Sequence, residues 1–115
     1  MLCEGCADPF SPKVVRSTMG AVFRLPCVQL PLADALARLK TAGLPVYATA
    51  LHEDSVPLSS VSLGRAAVII GSEGQGICQE LFDAAQGKII IPMSPRCESL
   101  NAAVAAAIVL WQMKR

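Results

Sequence analysis

AAVIIGSEGQG (residues 66–76) and KIIIPMSPRCESLN (88–101) decide how this chain folds. Each carries a continuous apolar run at or near its start, 66–70 in the first and 89–91 in the second, the mark of a strand buried on both faces. Each run then gives way to residues that suit a turn or a ligand: glycine at 71, 74 and 76 in the first, proline at 92 and 95 in the second. From Ala102 to Trp111 every residue is apolar, a helix with no polar face. Yet Glu98, Ser99 and Asn101 stand at its mouth.

Working outward, the other elements alternate. Ser11-Pro12 reads as a cap followed by proline at the first helical position, opening a helix from about Pro12 to Phe23. PCVQL (26–30) offers a short strand. LADALARLKTAG (32–43) places Leu32, Leu36 and Leu39 at helical spacing, and Gly43 and Pro45 stop it. VYATAL (46–51) is rich in β-formers, 52–65 reads as a loop, and a short helix follows from about Ile77 to Ala85. Strand alternating with helix predicts an α/β fold, a mostly parallel sheet with helices on both faces. In such a sheet ligands bind beyond the carboxyl ends of the strands. ATALHE, GSEGQG and IPMSPRCESLN should therefore meet on one edge.

The 115 residues suffice for one domain, 1–115, and the 53% apolar content excludes a disordered chain. The apolar run at 102–111 is about half of what a bilayer span requires. With no basic leader and five scattered cysteines, the chain reads as cytoplasmic. Cys3 and Cys6 form one C-x-x-C, but no second ligand pair exists and His52 is the only histidine. They read as ordinary thiols rather than as a metal site. A net charge of +1 with no basic run means that any contact with RNA is weak, or is made through a dimer or a further domain.

The glycine loop does not match a nucleotide-binding pattern. Its spacing reverses the dinucleotide fingerprint, Ile77-Cys78 stand where a Walker loop needs Lys and Ser/Thr, and Glu73 would repel a phosphate. It serves equally as a tight turn or as a site for a neutral or cationic ligand. At the helix mouth, Ser99 is a natural N-cap with Asn101 in the first turn. Capping needs one such residue, so the polar groups left over at a strand end point to a site.

AVIIGSEGQGI (67–77) and IPMSPRCESLNAAVAAAI (91–108) together resemble the second and third motifs of the SpoU (TrmH) family of RNA ribose 2′-O-methyltransferases, within the SPOUT superfamily. The likeness runs upstream through GCADPFSPKVVRSTMGAVFRLP (5–26) and AGLPVYATALHE (42–53), nearly the whole chain. It implies a C-terminal trefoil knot that clasps S-adenosylmethionine, a homodimer with its site at the interface, and tRNA or rRNA as substrate, with neither DNA nor membrane as partner. Carried over by position, Thr49, Ala50, Leu51, Gly71, Gly76, Ile91, Met93 and Leu100 would hold the cofactor. Glu73, Ser99 and Asn101 would shape the site around cofactor and target ribose. Pro95 and Cys97 depart from the family's glycine and aliphatic. The resemblance also places a strand and helix with a catalytic Asn and Arg ahead of Met1-Leu2, so the base is expected to be absent from an N-terminally truncated chain. Arg16 and Arg24 do not take its place. The alternatives are a non-catalytic RNA-binding or dimerisation module that keeps the knot, and a flavodoxin-like nucleotide binder, which the glycine spacing disfavours.

Overall fold

The computed structural model describes residues 1–115, which divide into two compact units, Met1–Thr41 and Ala42–Arg115.

In the first unit Ser11 caps α1 (Pro12–Ser17), its hydroxyl accepting from Val14 N, with proline at the start as expected. The helix is shorter than its sequence suggests. It breaks at Thr18–Gly20, where Met19 takes φ 50° and Gly20 φ 84°, and resumes as one 3-10 turn at Ala21–Phe23. PCVQL does not form a strand; only Gln29 makes a bridge, to Leu2. α2 (Leu32–Ala42) buries Ala35 and stops at Gly43.

The second unit holds a four-stranded sheet: β1 (Val46–Thr49), β2 (Val56–Pro57), β3 (Ala67–Ile69) and β4 (Gly87–Ile90), in the order β2-β4-β1-β3, every pair parallel. β2 and a 3-10 turn at Leu58–Ser60 lie within the segment expected to be loop. Proline is tolerated in β2 because that strand is at the edge. β3 was expected to be buried on both faces; it is the other edge strand, and all three of its residues are half-buried.

Register separates the two faces. Tyr47 pairs with Val68 and with Gly87, and Thr49 with Ile89, so these residues share one face. Against it packs α4 (Ala102–Lys114). Val109 is 1% exposed and joins Ile89, Leu58 and Leu63 in the core, with Tyr47, Val68, Ile108 and Met113 around them. Lys88 points to the opposite face, where its ammonium lies 4.6 Å over the ring of Phe82 in α3 (Gln79–Ala84). Helices thus cover both faces. α3 is shorter at each end than the expected 77–85, and Cys78 offers its start no side-chain cap.

Candidate active site

Because all four strands run parallel, the segments after Thr49, Ile69 and Ile90 leave the same edge of the sheet. The loop after β3 closes on itself. Ser72 N donates to Gly76 O at 3.0 Å, Gly76 N donates to Ser72 O at 2.9 Å, and Gln75 N donates to the Ser72 hydroxyl at 3.2 Å. A Cβ on Gly71 would lie 2.4 Å from the Gly76 carbonyl carbon, closer than any side chain is accommodated, and Gly76 adopts φ 68°. The turn therefore accounts for these two glycines. It also carries Glu73 outward.

Glu73 reaches the mouth of α4. Its Oε1 accepts from Asn101 Nδ2 at 2.6 Å and from Ala102 N at 3.3 Å. Asn101, not Ser99, is the N-cap: its Oδ1 accepts from Ala103 N at 2.9 Å and from Val104 N at 3.3 Å. Ser99 lies exposed two residues before the N-cap, its carbonyl accepting from Cys97 Sγ at 3.7 Å. Asn and Ser cap about equally well, so ESLN offers two starting points. The start at Asn101 gains the Glu73 contact. α4 has no acidic residue in its own first turn, and Glu73 supplies the negative charge that its N-terminus favours.

The residues expected to hold a cofactor fall on this edge in different states. The Thr49 hydroxyl donates to Ile69 O at 3.0 Å and so ties β1 to β3. Ala50 N donates to Ile89 O, and Ala50 O accepts from the Ser55 hydroxyl at 2.7 Å. Leu51 is 80% exposed. Ile91 packs against the core with its side chain. Met93 and Leu100 are half-buried, and their backbone amides bond to no other group of the chain. Exposed or half-buried apolar walls beside unpaired amides suit a planar, hydrogen-bonding ring.

One cluster escaped sequence reasoning. His52 Nδ1 and Lys88 Nζ lie 3.5 and 3.6 Å from the Asp54 carboxylate, and the His52 ring is 5.7 Å from that of Phe82. No spacing could have revealed it, because only strand pairing brings 52–54 beside 82–88.

The model of the SpoU rRNA Methylase family matches residues 1–111. The chain belongs to that family. A curated relative, the 23S rRNA (guanosine(2553)-2′-O)-methyltransferase RlmP of Bacillus subtilis, is 35% identical over 99% of this SpoU chain and 46% of its own length. The tRNA (guanosine(18)-2′-O)-methyltransferase of Thermus thermophilus is 41% identical over 73% of the chain and 44% of its own. The crystal structure of an AdoMet-bound rRNA methyltransferase from Sinorhizobium meliloti superimposes with a TM-score of 0.92 at 34% identity, over 99% of the SpoU chain and 44% of that one. The chain thus spans about half the length of the curated relatives it matches.

Proposed function

We propose that this chain forms the cofactor-binding part of an S-adenosylmethionine-dependent RNA ribose 2′-O-methyltransferase acting on rRNA or tRNA. The observation that carries the reading is the Glu73–Asn101 hydrogen bond, which joins the loop after β3 to the mouth of α4. These are the two segments that carry the family's motifs, and the bond holds them at one edge of the sheet. The relatives' names supply the reaction class and the two kinds of RNA.

The residues present fit the cofactor. Met93 and Leu100 offer unpaired amides for an adenine edge beside half-buried apolar side chains. Gly71 and Gly76 add no side chain at the point where the adjoining loop closes on itself. Thr49, Ala50 and Leu51, with the backbone of Ile91, complete the walls. When bound, the cofactor supplies an electrophilic methyl group. Glu73, Ser99 and Asn101 line the polar side and orient the ribose, and positioning is the larger share of what such a site contributes. The general base is assigned to none of this chain's residues.

A trefoil knot is part of the same proposal. β4 lies between β1 and β2, which only residues 50–55 connect, so the last strand enters between segments laid down before it. A homodimer is the third part. α4 leaves Leu110 60% and Trp111 70% exposed, an apolar face that a partner subunit would cover.

Calorimetric titration with S-adenosylmethionine and with S-adenosylhomocysteine tests the reading. Heat of binding that disappears in Leu100→Asp is the expected result. Folded protein that binds neither compound overturns it. Given tritiated cofactor and rRNA or tRNA, this chain alone should label the RNA weakly or not at all, since none of its residues is assigned as the general base.

A further inference from the structure

We infer that Cys3 and Cys6 form a reversible dithiol–disulfide pair across a β-turn, an oxidation site separate from the methyltransferase reading and independent of it. Cys6 N donates to Cys3 O at 3.2 Å, closing the turn Cys3-Glu4-Gly5-Cys6. Gly5 has φ 85°, the conformation that the third position of a type II turn requires. A turn of this kind brings its first and last Cα within about 7 Å. A disulfide spans Cα atoms about 4.4–6.8 Å apart. The hydrogen bond thus holds the two cysteines inside bridging range without help from the rest of the chain.

The turn is also anchored, just before its first residue and at its second. Leu2 N donates to Val28 O at 2.8 Å, and Leu30 N donates to Leu2 O at 2.9 Å. Within the turn, the Glu4 carboxylate accepts from Leu32 N at 3.0 Å, at the first residue of α2. Such anchoring fixes the first half of the turn, and the Cys6 N–Cys3 O bond holds its far end to it. Access is open as well: Cys6 is exposed, Cys3 is half-buried, and both line a cavity of about 270 Å³ together with Glu4, Gln29 and Pro31.

The oxidant is a small-molecule disulfide. The exposed Cys6, as its thiolate, attacks one sulfur of that disulfide; the S–S bond breaks and one small thiolate leaves. Cys3, as its thiolate, then attacks the Cys6 sulfur of the mixed disulfide and expels the second. Two protein thiols are oxidised, one external disulfide is reduced to two thiols, and no other redox partner is required. Closing the bridge fixes the turn that presents Glu4 to α2.

The probe is a glutathione/glutathione disulfide buffer of graded ratio, with acid quenching, alkylation and peptide mapping of the folded protein. The expected result is a Cys3–Cys6 disulfide that forms reversibly while Cys27, Cys78 and Cys97 remain alkylated. It should persist to a ratio about tenfold more reducing than in the urea-unfolded chain, since the folded turn raises the effective concentration of the second thiol. Gly5→Ala should lower that advantage, because a Cβ there meets no atom but must adopt the unfavourable positive φ. Gly5→Asn, which tolerates that conformation better, should retain most of it. Stable glutathione adducts on both cysteines, or equal bridging in folded and unfolded chains, would overturn the inference.

Discussion

The Glu73 carboxylate and the Asn101 amide meet at 2.6 Å although 28 residues separate them, and through them the loop after β3 is fastened to the N-terminus of α4. Glu73 shares the same oxygen with Ala102 N, while Asn101 turns its own carbonyl oxygen onto Ala103 and Val104. The helix start thus has a neutral cap and a charged one. They should be separable. Asn101→Ala removes both the cap and the loop contact and is expected to cost about 1 kcal/mol in urea denaturation. Glu73→Gln keeps a carbonyl oxygen for Ala102 N and removes only the charge, so its stability should change less. A larger loss for Glu73→Gln than for Asn101→Ala would refute this order.

The glycine loop gives a second prediction. Gly71→Ala sets a methyl carbon 2.4 Å from backbone that is itself held by two hydrogen bonds, so the loop has to open. Overpacking of that kind costs about 1–3 kcal/mol. Cofactor affinity should fall with it. Gly74→Ala meets nothing within 4 Å and serves as the control. Equal behaviour of the two variants in thermal melts and in calorimetry would show that Gly71 is not the constrained position.

How much of this was legible beforehand varies with the physics of each segment. The runs around 46–49, 67–69 and 87–90 are strands because continuous apolar β-formers between turn signals leave few alternatives; α3 separates the last two, whereas β2 and a 3-10 turn, with no α-helix, separate the first two. β2 was not legible. Two residues, one of them proline, carry no periodicity, and the strand exists only because β4 offers it an edge. PCVQL failed for the converse reason: it has the composition of a strand but finds a partner only at Gln29. At the site, residue types were readable and their roles less so. Ser99 and Asn101 are equal candidates for a cap until Glu73 arrives from another part of the chain. The two motifs showed which residues belong together, whereas the hydrogen bond that joins them depends on tertiary placement.

A third prediction separates the cofactor pocket from the core. Ile89 is 1% exposed at the centre of the apolar cluster, and Ile89→Ala should cost about 2–5 kcal/mol. Leu100 is only half-buried, so Leu100→Asp should leave the melting temperature nearly unchanged. It should weaken S-adenosylmethionine binding at least about tenfold, because the carboxylate loses water against an apolar wall. If Leu100→Asp lowers stability as Ile89→Ala does, its loss of binding says nothing about the pocket.

The fourth prediction concerns assembly. α4 buries Val109 on the sheet and leaves Leu110 and Trp111 on the outside, the most exposed large apolar residues of that helix. Neither makes a ring or hydrogen-bond contact through its side chain within the chain. Under the proposed homodimer these two side chains are covered by the partner, and burying them there accounts for a helix that has no polar face. Trp111→Asp and Leu110→Asp should therefore shift sedimentation from a dimer-sized to a monomer-sized species at micromolar concentration. The monomer should keep its circular dichroism, since neither residue contributes to the core around Ile89. Unmutated protein sedimenting as a single monomer-sized species would remove the homodimer from the proposal, while the Glu73–Asn101 bond and the cofactor reading would stand or fall on calorimetry alone.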